Sequence, residues 1–157
     1  MVRNPGAHGA VPSEPPALAA RQRGDLTMKA ITLWQPWASA IGRVKFIETR
    51  SWETKYRGEL AIHAAVRSPK LCRDYLATFA QQTAVIDPPA GAMVSIARLV
   101  DVVPVETLGA SLGELERYWG NYAAGRFAWV LEDVRFLEQP VPCSGRQGLW
   151  TWNPPAV

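Results

Sequence analysis

Two long β-branched runs constrain the fold of this chain more than any other feature. GAMVSIARLVDVVPVE (residues 91–106) and GRFAWVLEDVRFLEQP (residues 125–140) read as long strands, rich in residues that suit a pleated, half-buried surface. The first is closed by Pro104, which cannot donate to a ladder. The second is expected to bulge at Glu132–Asp133, where two acids break the alternation. Shorter pieces surround them. KAITL and FIETRSW are compact β-prone runs, RGELAIHAA alternates with Leu60, Ile62 and Ala64 on one face, and GLWTW is a short final strand. QPWASAIGR carries Pro36 where a first helical turn accepts it, with Gly42 near the end. A second helix is expected from Pro69 to about Gln82, with Ser68 as N-cap. SLGELERYWG supplies one or two further turns. Many strands with two or three short helices make an α+β fold, most simply a small mixed β-barrel flanked by short helices. No internal repeat is visible.

At 157 residues, 48% of them apolar and 20% charged, the chain fits one globular domain with a proper core. No apolar run approaches the roughly 18 residues of a membrane span, so no membrane partner is expected. The N-terminus lacks the basic-then-apolar order of a secretory signal. Cys72 and Cys143 belong to no CxxC pair and read as reduced thiols of a cytoplasmic protein.

Residues 1–27 differ from the rest, with four Pro, three Gly, five Ala and no aromatic residue. Such a segment cannot bury enough apolar surface to offset its ordering entropy. It is expected to be a disordered extension, with the folded domain over 28–153 and a tail at 154–157.

The net charge of +3 is too small to argue for nucleic acid by itself, but its distribution is uneven. Between Arg43 and Arg73 eight Lys/Arg face three Glu, and between Asp74 and Pro142 nine acids face four Arg. The basic block coincides with TLWQPWASAIGRVKFIETRSW (residues 32–52), which holds three of the seven tryptophans. Trp37 and Trp129 lie inside apolar runs and are expected in the core. Trp34 ends a strand just before a turn, where an exposed indole could stack a nucleobase. Gln35 adjoins it. On a regular strand Glu48 and Arg50 share a face, which suits an ion pair or a joint hydrogen-bonding surface. Lys45, three residues before Glu48, joins them only from a turn or across a bulge. His63 shares a strand face with Ala61 and is either a hydrogen-bonded structural residue or an acid–base group. PCSGRQGLW offers Ser144, Arg146 and Gln147 in a Gly-flanked loop that is either a plain turn or a phosphate contact. Neither histidine has metal-ligand company, so no metal and no cofactor is expected.

Taken together, ITLWQPWASAI followed by KFIETRSWETKYRGELAIHAA, with GRFAWVLEDVRFLEQPVPCSGRQGLWTW closing the chain, resembles the ASCH domain, a module of the PUA-like superfamily. The likeness runs from about Met28 to Trp152. One departure stands out: the family usually has Gly two places before the Lys, but here Arg43 holds that place and Gly42 lies one further back. The resemblance implies a PUA-like barrel with a cleft lined by Lys45, Glu48 and Arg50, and a role linked to RNA metabolism, translation or transcription. Its members include hydrolases acting on an acetylated cytidine nucleoside or on RNA. In the amidohydrolase branch a Thr nucleophile is expected where Glu48 stands, so Glu48 counts against direct transfer of that mechanism.

Three functions therefore compete. In the leading one the cleft binds RNA or a nucleotide-like small molecule: Trp34 stacks a base, Lys45, Arg50, Lys55 and Arg57 contact phosphate, and Glu48 reads a base edge, with Gln35, His63, Arg146 and Gln147 nearby. In the second, a metal-independent hydrolase, Lys45 or Glu48 is general base, with Ser144 or water as nucleophile. In the third, the charge-split surface meets a protein partner.

Overall fold

A computed structural model describes residues 27–155. Strands β1 (Met28–Leu33), β2 (Ile47–Arg50), β3 (Gly58–Ala64), β4 (Ala92–Pro104), β5 (Phe127–Pro142) and β6 (Trp150–Trp152) form one sheet in the order β2-β5-β4-β3-β1-β6. Three short helices accompany it: α1 (Trp37–Ala40), α2 (Arg73–Thr83) and α3 (Glu114–Tyr118). The fold is thus mixed α+β. The expectation for residues 1–27 falls, Thr27 apart, outside the described residues, as does the end of the 154–157 tail. Among the described residues no helix is long and apolar enough to cross a membrane.

The sheet is not closed into a barrel, which corrects the expectation from sequence. β1 and β3 are parallel and every other pairing is antiparallel. β2 and β6 remain edges, and at four and three residues they are too short to build a closing ladder. A side chain spans the opening instead: Arg50 Nη2 donates to the Thr32 carbonyl of β1 at 3.2 Å. The start of β2 is satisfied by a side chain as well, for Glu116 of α3 accepts the N–H groups of Phe46 and Ile47. Capping an edge in this way satisfies backbone groups that would otherwise invite another strand.

β5 is kinked where two acids interrupt it. Ile96 pairs with Arg135 but Arg98 with Glu132, so β5 carries an extra residue there, and Asp133 takes a positive φ of 49°. Arg98 fixes the bulge by bonding both Asp133 and Glu132. Such bulges bend a strand and increase its twist.

That core contains Ile31, Leu33, Ile41, Leu60, Ile62, Leu99 and the fully buried Trp129. Each large aliphatic side chain buried there contributes about 1.5–3 kcal/mol. β3 shows why the sheet has two apolar faces: Leu60, Ile62 and Ala64 enter the main core, and Ala61 joins a second cluster with Met93, Trp150 and Trp152. A third cluster, Ala40, Val44, Phe79 and Trp119, ties α1 to α2 and to the segment after α3.

Two local details depart from sequence. Ser68 does not cap the second helix; its Oγ accepts the Gln35 N–H at 2.9 Å, and a 3₁₀ turn (Lys70–Cys72) precedes α2. At only four residues, α1 relies on the side chain of Gln35, whose Oε1 accepts the Ser39 N–H at 3.0 Å.

Candidate functional site

The unclosed side of the sheet holds a cavity of about 740 Å³, within the range typical of small-molecule sites. One wall is β2, through Glu48, Thr49 and Arg50, with Trp52 beyond it. The facing wall is the end of β1, through Thr32, Leu33 and Trp34. His63 and Ala65 of the β3 end, Arg126 ahead of β5, and the loop of residues 145–148 complete it.

Glu48 and Arg50 share a face of β2, as two-residue spacing requires. Glu48 is held from below. Lys45 is only 1% exposed, and its Nζ donates to Glu48 Oε2 at 2.8 Å. It stands in the turn before β2, bridged to Ile41, which is one of the two arrangements in which a residue three before Glu48 can reach it. The shifted glycine makes that turn possible: Gly42 has φ +84°, and a Cβ there would lie 2.5 Å from Val134 Cγ1. Lys45 is therefore a buried support of the wall and not a lining residue, which corrects its expected direct phosphate contact. A buried ammonium needs a close anionic partner, and Glu48 supplies it. Arg50 Nε lies 3.4 Å from Glu48 Oε1 and is buried without a hydrogen bond among the described residues.

His63 is 1% exposed, with Nε2 2.9 Å from the Cys143 carbonyl. A carbonyl only accepts, so Nε2 is the donor of this bond. Nδ1 is buried and unpartnered among the described residues. Gly145 lies against it: a Cβ there would come 2.5 Å from Nδ1 and 2.7 Å from Thr32 Oγ1. The ring also meets Trp150 edge-on at 5.9 Å. His63 thus anchors the loop that carries Arg146 and Gln147 to the cavity. Burial raises the thiol pKa of Cys143, and likewise that of Cys72, which makes both poor nucleophiles.

The cavity brings together Trp34, Glu48, Arg50, His63, Arg146 and Gln147 from the residues singled out in the sequence. It does not include Gln35, Lys55, Arg57 or Ser144. The Gln35 amide is committed to the fold, donating to Ser39 Oγ at 2.7 Å and the Pro89 carbonyl at 2.6 Å. Arg57 turns towards Asp101 of β4, 3.5 Å away, Lys55 is exposed off the cavity wall, and Ser144 is exposed beside Gly145 without facing the cavity.

Sequence reasoning missed Arg126, Trp52 and Thr32 as lining residues. Arg126 Nη2 bonds the Thr49 carbonyl at 3.0 Å, which fixes its guanidinium against β2. Only the register of β2 on β5, Arg50 opposite Phe127, could have placed the preceding Arg126 there. Trp37 is half-buried and serves two roles. It packs on the core with its indole N–H donating to the Trp119 carbonyl at 3.0 Å, and one side of it faces the cavity. Trp34, by contrast, is 55% exposed at the rim.

A family model described as the ASCH domain matches residues 31–141. Similar solved structures include the ASCH protein of Zymomonas mobilis, 21% identical over 73% of this chain and 72% of that one, with a TM-score of 0.44. Two variants of it, one Tyr-to-Phe and one Ser-to-Ala, are each 20% identical over 73% of this chain. They are covered over 74% and 72% of their length, with TM-scores of 0.43 and 0.44. No curated protein sequence matches the chain.

Proposed function

Because the chain belongs to the ASCH domain family, we propose that its cleft binds single-stranded RNA or a nucleotide-like ligand, in a role linked to RNA metabolism, translation or transcription. One observation carries this reading: the cavity gathers an exposed Trp34, a half-buried Trp52 and the guanidinium groups of Arg50, Arg126 and Arg146 around a single carboxylate, Glu48. Each part has a task in nucleotide recognition. A base stacked on Trp34 gains about 1–3 kcal/mol. Arg146 offers a planar donor fork that matches phosphate oxygens, and Arg50 and Arg126, whose Nη2 groups bond the Thr32 and Thr49 carbonyls, add positive charge beside it. Glu48 accepts from amino or imino groups on a base edge, and single-stranded RNA presents such edges free of pairing.

The hydrolytic alternative has less support. Ser144 does not line the cavity, and the Lys45 ammonium is engaged by Glu48 beneath the wall. A nucleophile or base must come within hydrogen-bond reach of its substrate, which Lys45 and Ser144 do not offer; of the hydrolytic groups, Glu48 acting on a water is the pair that the cavity still accommodates. A panel of acylated nucleosides incubated with the protein should therefore return no turnover, whereas turnover lost in Lys45→Ala would restore the enzyme reading.

The binding reading is tested by titrating a labelled single-stranded RNA hexamer into wild type and Trp34→Ala. Saturable binding that weakens about tenfold in the variant supports it. No saturable binding at low salt would sink it.

A further inference from the structure

Behind the cleft wall lies a charged group that ligand contact does not use. Glu116 points its carboxylate at the turn that begins β2. Its Oε1 accepts from the Phe46 N–H at 2.7 Å and the Ile47 N–H at 3.0 Å, and its Oε2 accepts from Phe46 at 2.9 Å. Those two residues are the ones between Lys45 and Glu48. The Lys45 ammonium attracts the Glu116 carboxylate while Glu48 repels it, and burial, the largest effect, raises the Glu116 pKa. The Tyr122 hydroxyl is buried without a hydrogen-bond partner among the described residues. Its pKa is raised by burial first and then by Glu116 and Glu48, against a smaller opposing pull from Arg117. The groups facing Glu116 are therefore Lys45 from the turn, Glu48 from β2 and Tyr122 from the segment after α3, with Arg117 beside it on the helix.

Glu116 thus grips the two residues that join a buried lysine to the acid lining the cleft. We propose that Glu116 is a positioning residue for the cleft: its carboxylate clamps the Phe46–Ile47 backbone, so that Glu48, the next residue, stays at the wall facing the ligand. The inference deepens the RNA-binding reading and rests on it for its consequence. Its mechanism is separate. A carboxylate accepting several backbone N–H groups forms charge-assisted bonds, about twice as strong as neutral ones. Neutralising Glu116 weakens the clamp, loosens the Phe46–Ile47 backbone and lets Glu48, the next residue, shift from its place at the wall.

Two measurements test this on the full chain. In ligand-free protein, the amide protons of Phe46 and Ile47 and the carboxyl carbon of Glu48 should all report the titration of Glu116 by NMR, as one shared inflection above the ordinary glutamate range. Glu116→Gln should remove that shared inflection. In RNA-hexamer titrations, Glu116→Gln should weaken binding about tenfold at about pH 8, where the charge it removes is present, and the ratio to wild type should approach one at about pH 4, where both proteins lack that charge. A packing role alone would give a ratio that does not change with pH, and that result overturns the proposal. So does a Glu48 carbon with no shared inflection in the wild type, which is informative even if Glu116→Gln fails to fold. Absence of any RNA binding by wild type would instead refute the function proposed above, and the NMR titration would still decide the role of Glu116.

Discussion

Replacing Lys45 with methionine should cost the protein about 3 kcal/mol, and most of that loss should disappear when Glu48 is made glutamine in the same chain. The magnitude follows from burial. Exposed ion pairs are worth about 0–1 kcal/mol, but the Lys45 side chain is 2% exposed and that of Glu48 13%, with 2.8 Å between them. Removing one partner of a buried pair strands the other charge, at about 3–5 kcal/mol. Glu48 touches the cleft and keeps some hydration, which favours the lower end. Methionine has nearly the length of the lysine stem, so packing losses stay small. In a domain of this size about 3 kcal/mol corresponds to a fall in Tm of about 10 °C. Urea unfolding of wild type, Lys45→Met, Glu48→Gln and the double variant closes the cycle, with an expected coupling of about 2 kcal/mol. A double variant as unstable as Lys45→Met, or a sum of independent losses, would show that the cost is cavity or strain and that the ion pair is not what supports the wall.

Other positions give sharper contrasts. Trp34→Ala should leave urea stability within about 0.5 kcal/mol, as expected of an exposed rim residue, while the loss of RNA affinity described above remains. Gly42→Ala forces a side chain into positive φ and against Val134, so it should destabilise by at least about 2 kcal/mol, measured by the same unfolding. The raised pKa of Glu116 means that the native state binds its proton more readily than the unfolded chain. Its contribution to stability is therefore full below the unfolded carboxyl pKa and is lost as pH rises through the folded one. Unfolding free energies of wild type relative to Glu116→Gln should fall with rising pH across that window and be flat outside it.

Much of this fold could be read from residue pattern alone. The long β4 and β5 runs, the bulge at Glu132–Asp133 and the shared face of Glu48 and Arg50 are all consequences of a two-residue period. The lysine also obeyed it, since three-residue spacing demanded a turn and Gly42 supplies one. What the pattern could not carry was distance across the sheet. The barrel failed to close because β2 and β6 are short and because Arg50 and Glu116 satisfy backbone groups at the β1 and β2 edges, matters decided between segments far apart in sequence. The same limit hid Arg126, which reaches the cleft only through pairing of β5 on β2. It also made Gln35 look like a ligand contact. A polar residue beside an exposed tryptophan resembles a binding group until its amide is found bonded to Ser39 and Pro89. Arg57 misled likewise, since a basic run in sequence is not a basic face in space.

RNA is expected in the cleft between β1 and β2, and the seven tryptophans report on that directly. Their indole N–H groups give separate NMR signals in distinct settings: Trp34 at the rim and Trp52 on the opposite wall, while Trp119 is fully buried with its N–H on Gln82. On adding the single-stranded RNA hexamer, the Trp34 and Trp52 signals should move along saturable curves of one common affinity while Trp119 stays still. If RNA binds with Trp34 and Trp52 unmoved, the ligand lies elsewhere on the surface and the cleft is not the site.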